Sequence, residues 1–178
     1  PSCIYQWSNM LSKTAGVNSI IEFGSNIGGN LKAIQTIKPK AELAAVEINH
    51  KACSEYLSKF IKPENIYEQS ILEYTPAKLY DLSFTKGVLI HINPDELQCV
   101  YEKLYLSSKK YIIVAEYYNP SPVEIKYRGN SKKLFKRDFA GELLDKYSDL
   151  RLVDYGFVYH RDNNFPEDDV NWFLMEKV

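Results

Sequence analysis

One stretch constrains the fold of this chain more than any other: Ser19-Ile-Ile-Glu-Phe-Gly-Ser-Asn-Ile-Gly-Gly-Asn30. Ser19 to Phe23 is β-branched and aromatic with a single acid, Glu22, and it stops at Gly24, the pattern of a short buried strand. Gly24 allows a sharp turn. Gly28 and Gly29 then keep the backbone bare of Cβ atoms where a helix, Asn30 to Ile37, is expected to begin. A strand, a bare turn and a helix N-terminus in succession make a ligand cradle. Glycine spacing narrows the ligand. Dinucleotide-binding loops carry a glycine two places after the first, so that backbone touches a pyrophosphate; here that slot is Asn26, and the glycines stand four apart at Gly24 and Gly28.

This roomier loop, with Glu22 just ahead of Gly24, resembles the first motif of the class I S-adenosylmethionine (SAM) dependent methyltransferases. The resemblance implies that Glu22, Gly24, Ser25, Asn26 and Gly28 lie along the methionine end of SAM, the acid helping to hold its ammonium. On the loop alone, a nucleotide-binding relative and a plain structural glycine turn are the competing readings.

Downstream, strands and helices alternate. Ala41 to Ile48 is a second apolar run closing with Glu47, roughly 20 residues beyond the glycine loop, where a parallel strand delivers an acid to the two hydroxyls of a ribose. Ile48 follows it on the same rim. Asn49 to Phe60 reads as an amphipathic helix with Ala52, Tyr56, Leu57 and Phe60 facing in, and Ile66 to Gln69 as a third strand. Asp81 to Ile92 reads as a fourth strand with its continuation, Asp95 to Leu106 as a helix, and Lys110 to Glu116 as a fifth strand. Ahead of the loop, Ile4, Trp7, Met10 and Leu11 stand at helical intervals, so a helix over Tyr5 to Lys13 is expected, packed on the sheet edge or forming part of a lid. Tyr117 to Lys133 has no helical period and reads as an insertion over the rim. Lys136 to Tyr147 reads as a helix, and Leu150 to Arg161 with Val170 to Lys177 as a closing antiparallel hairpin. The expected architecture is a single α/β domain: a Rossmann-like, doubly wound, mostly parallel seven-stranded sheet with helices on both faces. Its ligand belongs at the carboxyl ends of the strands.

Composition serves mainly to exclude. A net charge of −1 provides no field to recruit nucleic acid or an anionic membrane. No Asn/Asp-Pro-Pro-aromatic motif follows the fourth strand, so base-flipping amino-methylation is disfavoured. Cys3, Cys53 and Cys99 are scattered singly, which favours a reducing cytoplasm. No long apolar run and no metal-ligand spacing stand out. The chain begins at Pro1 without a methionine, so a trimmed N-terminus is expected.

Three longer strings sharpen the resemblance: Phe84-Thr-Lys-Gly-Val-Leu-Ile-His-Ile-Asn-Pro, Ala115-Glu-Tyr-Tyr-Asn-Pro-Ser-Pro-Val-Glu-Ile-Lys-Tyr-Arg-Gly and Val153-Asp-Tyr-Gly-Phe-Val-Tyr-His-Arg-Asp. They resemble the pseudaminic acid biosynthesis-associated methylases, a branch of the class I methyltransferases whose members share an additional N-terminal segment. The resemblance implies methyl transfer from SAM to oxygen or nitrogen of a small, sugar-derived acceptor, with no metal. It implies adenine contacts at Ser70, Ile71 and Leu72, where relatives often carry an aspartate in place of Ser70, and a methionine side lined by Lys86 and Gly87. His91 is the candidate base, imidazole being the side chain that most readily exchanges a proton near neutral pH, or else a structural histidine. Glu116 and Tyr118 are further catalytic candidates. Tyr117, Tyr127, Arg128, Tyr159, His160 and Arg161 are candidates for a polyhydroxylated, anionic acceptor, Arg128 through its guanidinium and the tyrosines through stacking and hydroxyl contacts. The rival reading is a non-catalytic SAM-binding or partner-activating subunit with the same fold and no acceptor pocket.

Overall fold

The structure, a computed structural model, describes residues 1–127 and 130–178, with side chains described outside 126–133. Strands β1 (Ser19–Phe23), β2 (Glu42–Glu47), β3 (Ile66–Glu68), β4 (Tyr80–Lys86) and β5 (Ser108–Glu116) are followed by a separate hairpin, β6 (Val123–Tyr127) and β7 (Asn130–Lys136), and then by β8 (Leu150–Val158) and β9 (Val170–Lys177). The helices are α1 (Ser2–Leu11), α2 (Gly29–Ile37), α3 (His50–Glu55), α4 (Leu97–Ser107) and α5 (Phe139–Lys146).

The main sheet has the order β3-β2-β1-β4-β5-β9-β8, parallel from β3 to β5 and antiparallel at β5–β9 and β9–β8. This is the expected seven-stranded, doubly wound architecture with its closing hairpin. Winding proceeds outward from β1 to β3 and then reverses to β4 on the other side of β1. The switch point therefore lies at the carboxyl ends of β1 and β4, where open α/β sheets hold ligands.

Both faces of the sheet are covered, which is why its inner strands read as unbroken apolar runs rather than alternating ones. Ile20, Leu82 and Ile113 point to one face, beneath Trp7 and Met10 of α1 and Leu31 and Ile34 of α2. Their neighbours Ile21, Ile112 and Val114 point to the other, beneath Val100 and Leu104 of α4 and Phe139 and Leu143 of α5. Helix α1 thus belongs to the core through Trp7 and Met10, both fully buried.

Several boundaries differ from the sequence reading. The helix expected over Asn49 to Phe60 ends at Glu55 and resumes as a 3-10 turn, Leu57–Lys59, leaving Tyr56 outside the core and exposed. The helix expected from Lys136 starts at Phe139, because the Asp138 carboxylate accepts the Gly141 amide and sets the cap there. The fourth strand stops at Lys86. Gly87 turns into the left-handed region (φ 68°), and Leu89–His91 is a 3-10 turn. The segment read as an insertion over the rim, Tyr117 to Lys133, contains β6 and the start of β7, which runs on to Lys136 with Leu134 buried against the core.

Candidate functional site

The carboxyl ends of the strands carry three adjoining hollows. A small, largely apolar one of about 180 Å3 is lined by Gly24, Val46, Glu47, Ile48, Gln69, Ser70, Ile71, Leu72 and Ile92. It shares Gly24 with a second, about 420 Å3, bounded by Cys3, Ser25, Asn26, Ile27, Gly29, Asn30, Lys86, Gly87, Val88 and Glu167. Asn30, Lys86, Gly87 and Glu167 are shared in turn with a third, about 540 Å3, that adds Ile90, His91, Tyr117, Leu134, Asp168 and Val170. An apolar slot opening onto a polar hollow suits a flat base with a polar tail, and the third hollow leaves room for another small molecule beside it.

The β1–α2 loop is shaped by positive φ values at Gly24 (74°), Asn26 (49°) and Gly28 (77°). A Cβ at Gly24 would stand 2.7 Å from Cγ2 of Val88, so both backbone and space demand glycine. The loop is pinned from the next strand. Glu47 Oε2 accepts the Asn26 amide at 2.6 Å, and Oε1 accepts the Asn49 amide at 2.8 Å. Glu47 is buried and lines the same hollow as Gly24. A carboxylate has roughly four acceptor positions, so two remain for a pair of hydroxyls.

Behind the loop, Glu22 is fully enclosed. Its Oε1 accepts Asn30 Nδ2–H at 2.7 Å, while Oε2 is buried without a hydrogen-bond partner. Asn30 is itself oriented by the Trp7 indole N–H, which donates to its Oδ1 at 3.1 Å. Burial pushes the Glu22 carboxyl up to about 8, against the opposing pull of Asn30 and Lys86. Ser25 Oγ is a second buried polar atom without a partner in this loop.

Across the switch point, Lys86 Nζ donates to Gln6 Oε1 at 3.0 Å and to Glu167 Oε2 at 2.9 Å. Glu116, a catalytic candidate by sequence, is buried and engaged by backbone amides. Its carboxylate accepts the amides of Val88 and Leu89, each at 3.1 Å, and of Ile90 at 3.4 Å, and it lines none of the three hollows. It folds the chain after Gly87 into the turn that carries His91. Burial pushes its carboxyl up to about 7, with those amides opposing. Glu116→Ala leaves buried donors unpaired and is expected to lower unfolding free energy by about 2–4 kcal/mol in urea titrations, with Glu116→Gln losing less. An unchanged midpoint for both variants would contradict the structural role.

Of the other candidates, His91 and Tyr117 line the third hollow. Ile48, 70 % exposed, forms the rim of the apolar one, and Ser70 lines it while its Oγ accepts the Leu72 amide at 3.2 Å. Tyr118 lines none of the three hollows, and its ring stands beside that of Phe173 with centroids 5.9 Å apart. Tyr159, His160 and Arg161 are also exposed outside them, His160 being paired with Asp169 at 2.9 Å. The side chain of Tyr127 and the whole of Arg128 lie outside the described residues. In place of these, the β8–β9 loop contributes Glu167 and Asp168, acids that nothing in a polar loop distinguishes by sequence. Cys3, Asn30, Gln69, Ile92 and Leu134 were likewise not assigned to the site; only Asn30, at the end of the glycine loop, carried a signal. Among the described residues, no cluster of three or more His, Cys, Asp or Glu could hold a metal ion. No helix among them is long and apolar enough to cross a membrane.

No protein-family model matches this chain, and no curated protein does. Solved structures match over nearly its whole length. The 1,6-didemethyltoxoflavin-N1-methyltransferase of Burkholderia thailandensis, with S-adenosylhomocysteine bound, superposes with a TM-score of 0.72 at 12% identity, covering 99% of this chain and 76% of that one. The N-methyltransferase NodS of Bradyrhizobium japonicum gives 0.70 at 14%, covering 98% and 93%. An O-methyltransferase from a Brevibacillus brevis trans-AT polyketide synthase, in complex with S-adenosylhomocysteine, gives 0.71 at 14%, covering 97% and 71%. The chain has the Rossmann-like fold of the SAM-dependent methyltransferases.

Proposed function

We propose that this protein is a SAM-dependent methyltransferase acting on oxygen or nitrogen of a small, sugar-derived acceptor. The observation that carries the reading is the placement of Gly24 and Glu47 on one hollow, with Glu22 behind it presenting an unpartnered buried oxygen. These groups fit SAM by their chemistry. The Glu47 carboxylate offers two acceptor positions to a ribose diol; Ile48, Ile71, Leu72 and Ile92 enclose an adenine; the bare backbone at Gly87 lines the space for the amino-acid end, and Glu22 is buried behind the loop with one oxygen unpartnered. Bound there, the cofactor supplies an already activated methyl group on a sulfonium, so the chain's part is alignment and exclusion of water. The third hollow stands next to the amino-acid end and supports a catalytic role over that of a SAM-binding subunit without an acceptor pocket. His91 on its wall is the residue positioned to take a proton from an acceptor that still holds one.

The sugar-derived acceptor rests on the three strings shared in resemblance with the pseudaminic acid-associated methylases, and the choice of oxygen or nitrogen on structural neighbours that include both N- and O-methyltransferases. Three free cysteines fit a reducing compartment such as the cytoplasm, where sugar nucleotides are made. Calorimetry with S-adenosylhomocysteine is expected to give a dissociation constant on the order of 10 μM. Folded protein that takes up none removes the enzyme reading. Incubation of labelled SAM with a bacterial sugar-nucleotide extract, read by mass spectrometry, then identifies what gains the methyl group.

A further inference from the structure

The wall between the second and third hollows is an ion pair, and its position suggests more than packing. Lys86 and Glu167 line both hollows, 2.9 Å apart, with side chains only 14% and 28% exposed. Gln6, on α1, completes the cluster: its Oε1 accepts from Lys86 Nζ at 3.0 Å, while its Nε2 is buried with no hydrogen-bond partner. Glu22 stands close enough for Lys86 to lower its proton affinity. The segment bearing Glu167 is held down a second time, by Phe165 stacked on Tyr5 of α1 with ring centroids 4.2 Å apart. An ammonium engaged by a carboxylate that is tethered through a loop, at the polar end of a nucleoside-shaped trough, is a carboxylate-binding site already filled from within.

Resting on the methyltransferase reading, we infer that Lys86 exchanges carboxylates: Glu167 holds the place that the amino-acid carboxylate of the cofactor takes on binding. The exchange conserves the charge pair at Lys86, so desolvation of the ammonium is met in both states, and the free protein never leaves a partly buried cation unpaired. It also frees Glu167. The released carboxylate stays on the third hollow beside Asp168, which makes the acceptor side more acidic only once cofactor is in place. An acceptor that donates hydroxyl or amine protons to that wall then binds the loaded enzyme in preference to the free one.

Two ligands separate this idea from the reading beneath it. S-adenosylhomocysteine carries the amino-acid end, whereas 5′-methylthioadenosine keeps only the thioether nucleoside. By titration calorimetry, Glu167→Gln is expected to bind S-adenosylhomocysteine about fivefold more tightly than wild type, because the internal competitor is gone. Its affinity for methylthioadenosine should stay within about twofold of wild type. Lys86→Met is expected to weaken S-adenosylhomocysteine at least about tenfold and again spare methylthioadenosine. If Glu167→Gln shifts both ligands alike, or weakens S-adenosylhomocysteine, the exchange is wrong while the methyltransferase reading stands. If neither ligand binds wild type, both are wrong. Glu167→Gln alters a partly exposed side chain, so a thermal melt matching wild type verifies that the comparison is between folded proteins.

Discussion

A Glu47→Ala protein is expected to fold and to bind S-adenosylhomocysteine at least about a hundredfold more weakly than wild type. The carboxylate does two things at once. It accepts the amides of Asn26 and Asn49, which holds the glycine loop in its left-handed course, and it presents its remaining acceptor positions to the hollow shared with Gly24. Each hydrogen bond to a charged acceptor is worth about 1.5–3 kcal/mol, so two ribose hydroxyls represent about 3–6 kcal/mol, more than two powers of ten in affinity. Loss of the loop's anchor adds to this. Glu47→Gln should fall between, since its amide retains one acceptor but turns a donor toward Asn26 or Asn49. Calorimetry on all three proteins checks the order; a fall of less than about fivefold for Glu47→Ala would place the ribose elsewhere.

The second large effect is a pH dependence set by Glu22. Burial holds its carboxyl at about 8 against an ordinary 4.5, so in the free protein it is mainly protonated at neutral pH. On the proposed function, the ammonium of the cofactor's amino-acid end favours the ionised form, so binding is expected to release a proton. Affinity for S-adenosylhomocysteine should therefore rise with pH, approaching tenfold per unit between about pH 6 and 7.5, and flatten as pH nears 8. Calorimetry at pH 7 in two buffers of different ionisation enthalpy should show release of about one proton. Glu22→Gln removes the slope and most of the affinity together.

The same shift has a stability consequence of opposite convenience. The folded state holds this proton more tightly than the unfolded chain. The contribution is therefore fully present below about pH 4.5 and is lost as pH rises toward 8. Glu22→Gln should melt close to wild type at pH 5 and above it at pH 8. Equal melting temperatures at both values would mean that the carboxyl is not desolvated as the structure has it. A buried acid with an unpartnered oxygen that weakens the fold is the kind of local conflict that marks functional positions.

Glu22, Gly24 and Glu47 stand out in the sequence because each combines an unusual residue type with a fixed place relative to a strand end, and the structure brings Gly24 and Glu47 to one hollow. Glu116 shows where that logic stops. A carboxylate ending a strand reads the same whether it faces a cavity or three backbone amides, and only the path of residues 87–91 distinguishes the two. Tyr118 is similar: leaving β5 on the rim does not decide which neighbour a ring meets, and its ring stands beside Phe173 of β9. Glu167 and Asp168 were invisible, because their neighbours are polar loop residues and their meaning comes from Lys86, far back in the chain.

The strand and helix succession, the demand for glycine at the turn and the acid that closes the second strand all follow from short-range chemistry: side-chain period, allowed φ values and the run of apolar residues needed to bury a sheet on both faces. Partner choice does not. Whether Glu116 binds amides, which acid meets Lys86, and which aromatic rings reach the trough depend on which distant strands become neighbours. That is set by the reversal of winding at β1 and β4 and by the antiparallel return of β9 against β5. Local propensity acts over a few residues, whereas a side chain's partner is selected from everything the packed core brings within about 4 Å.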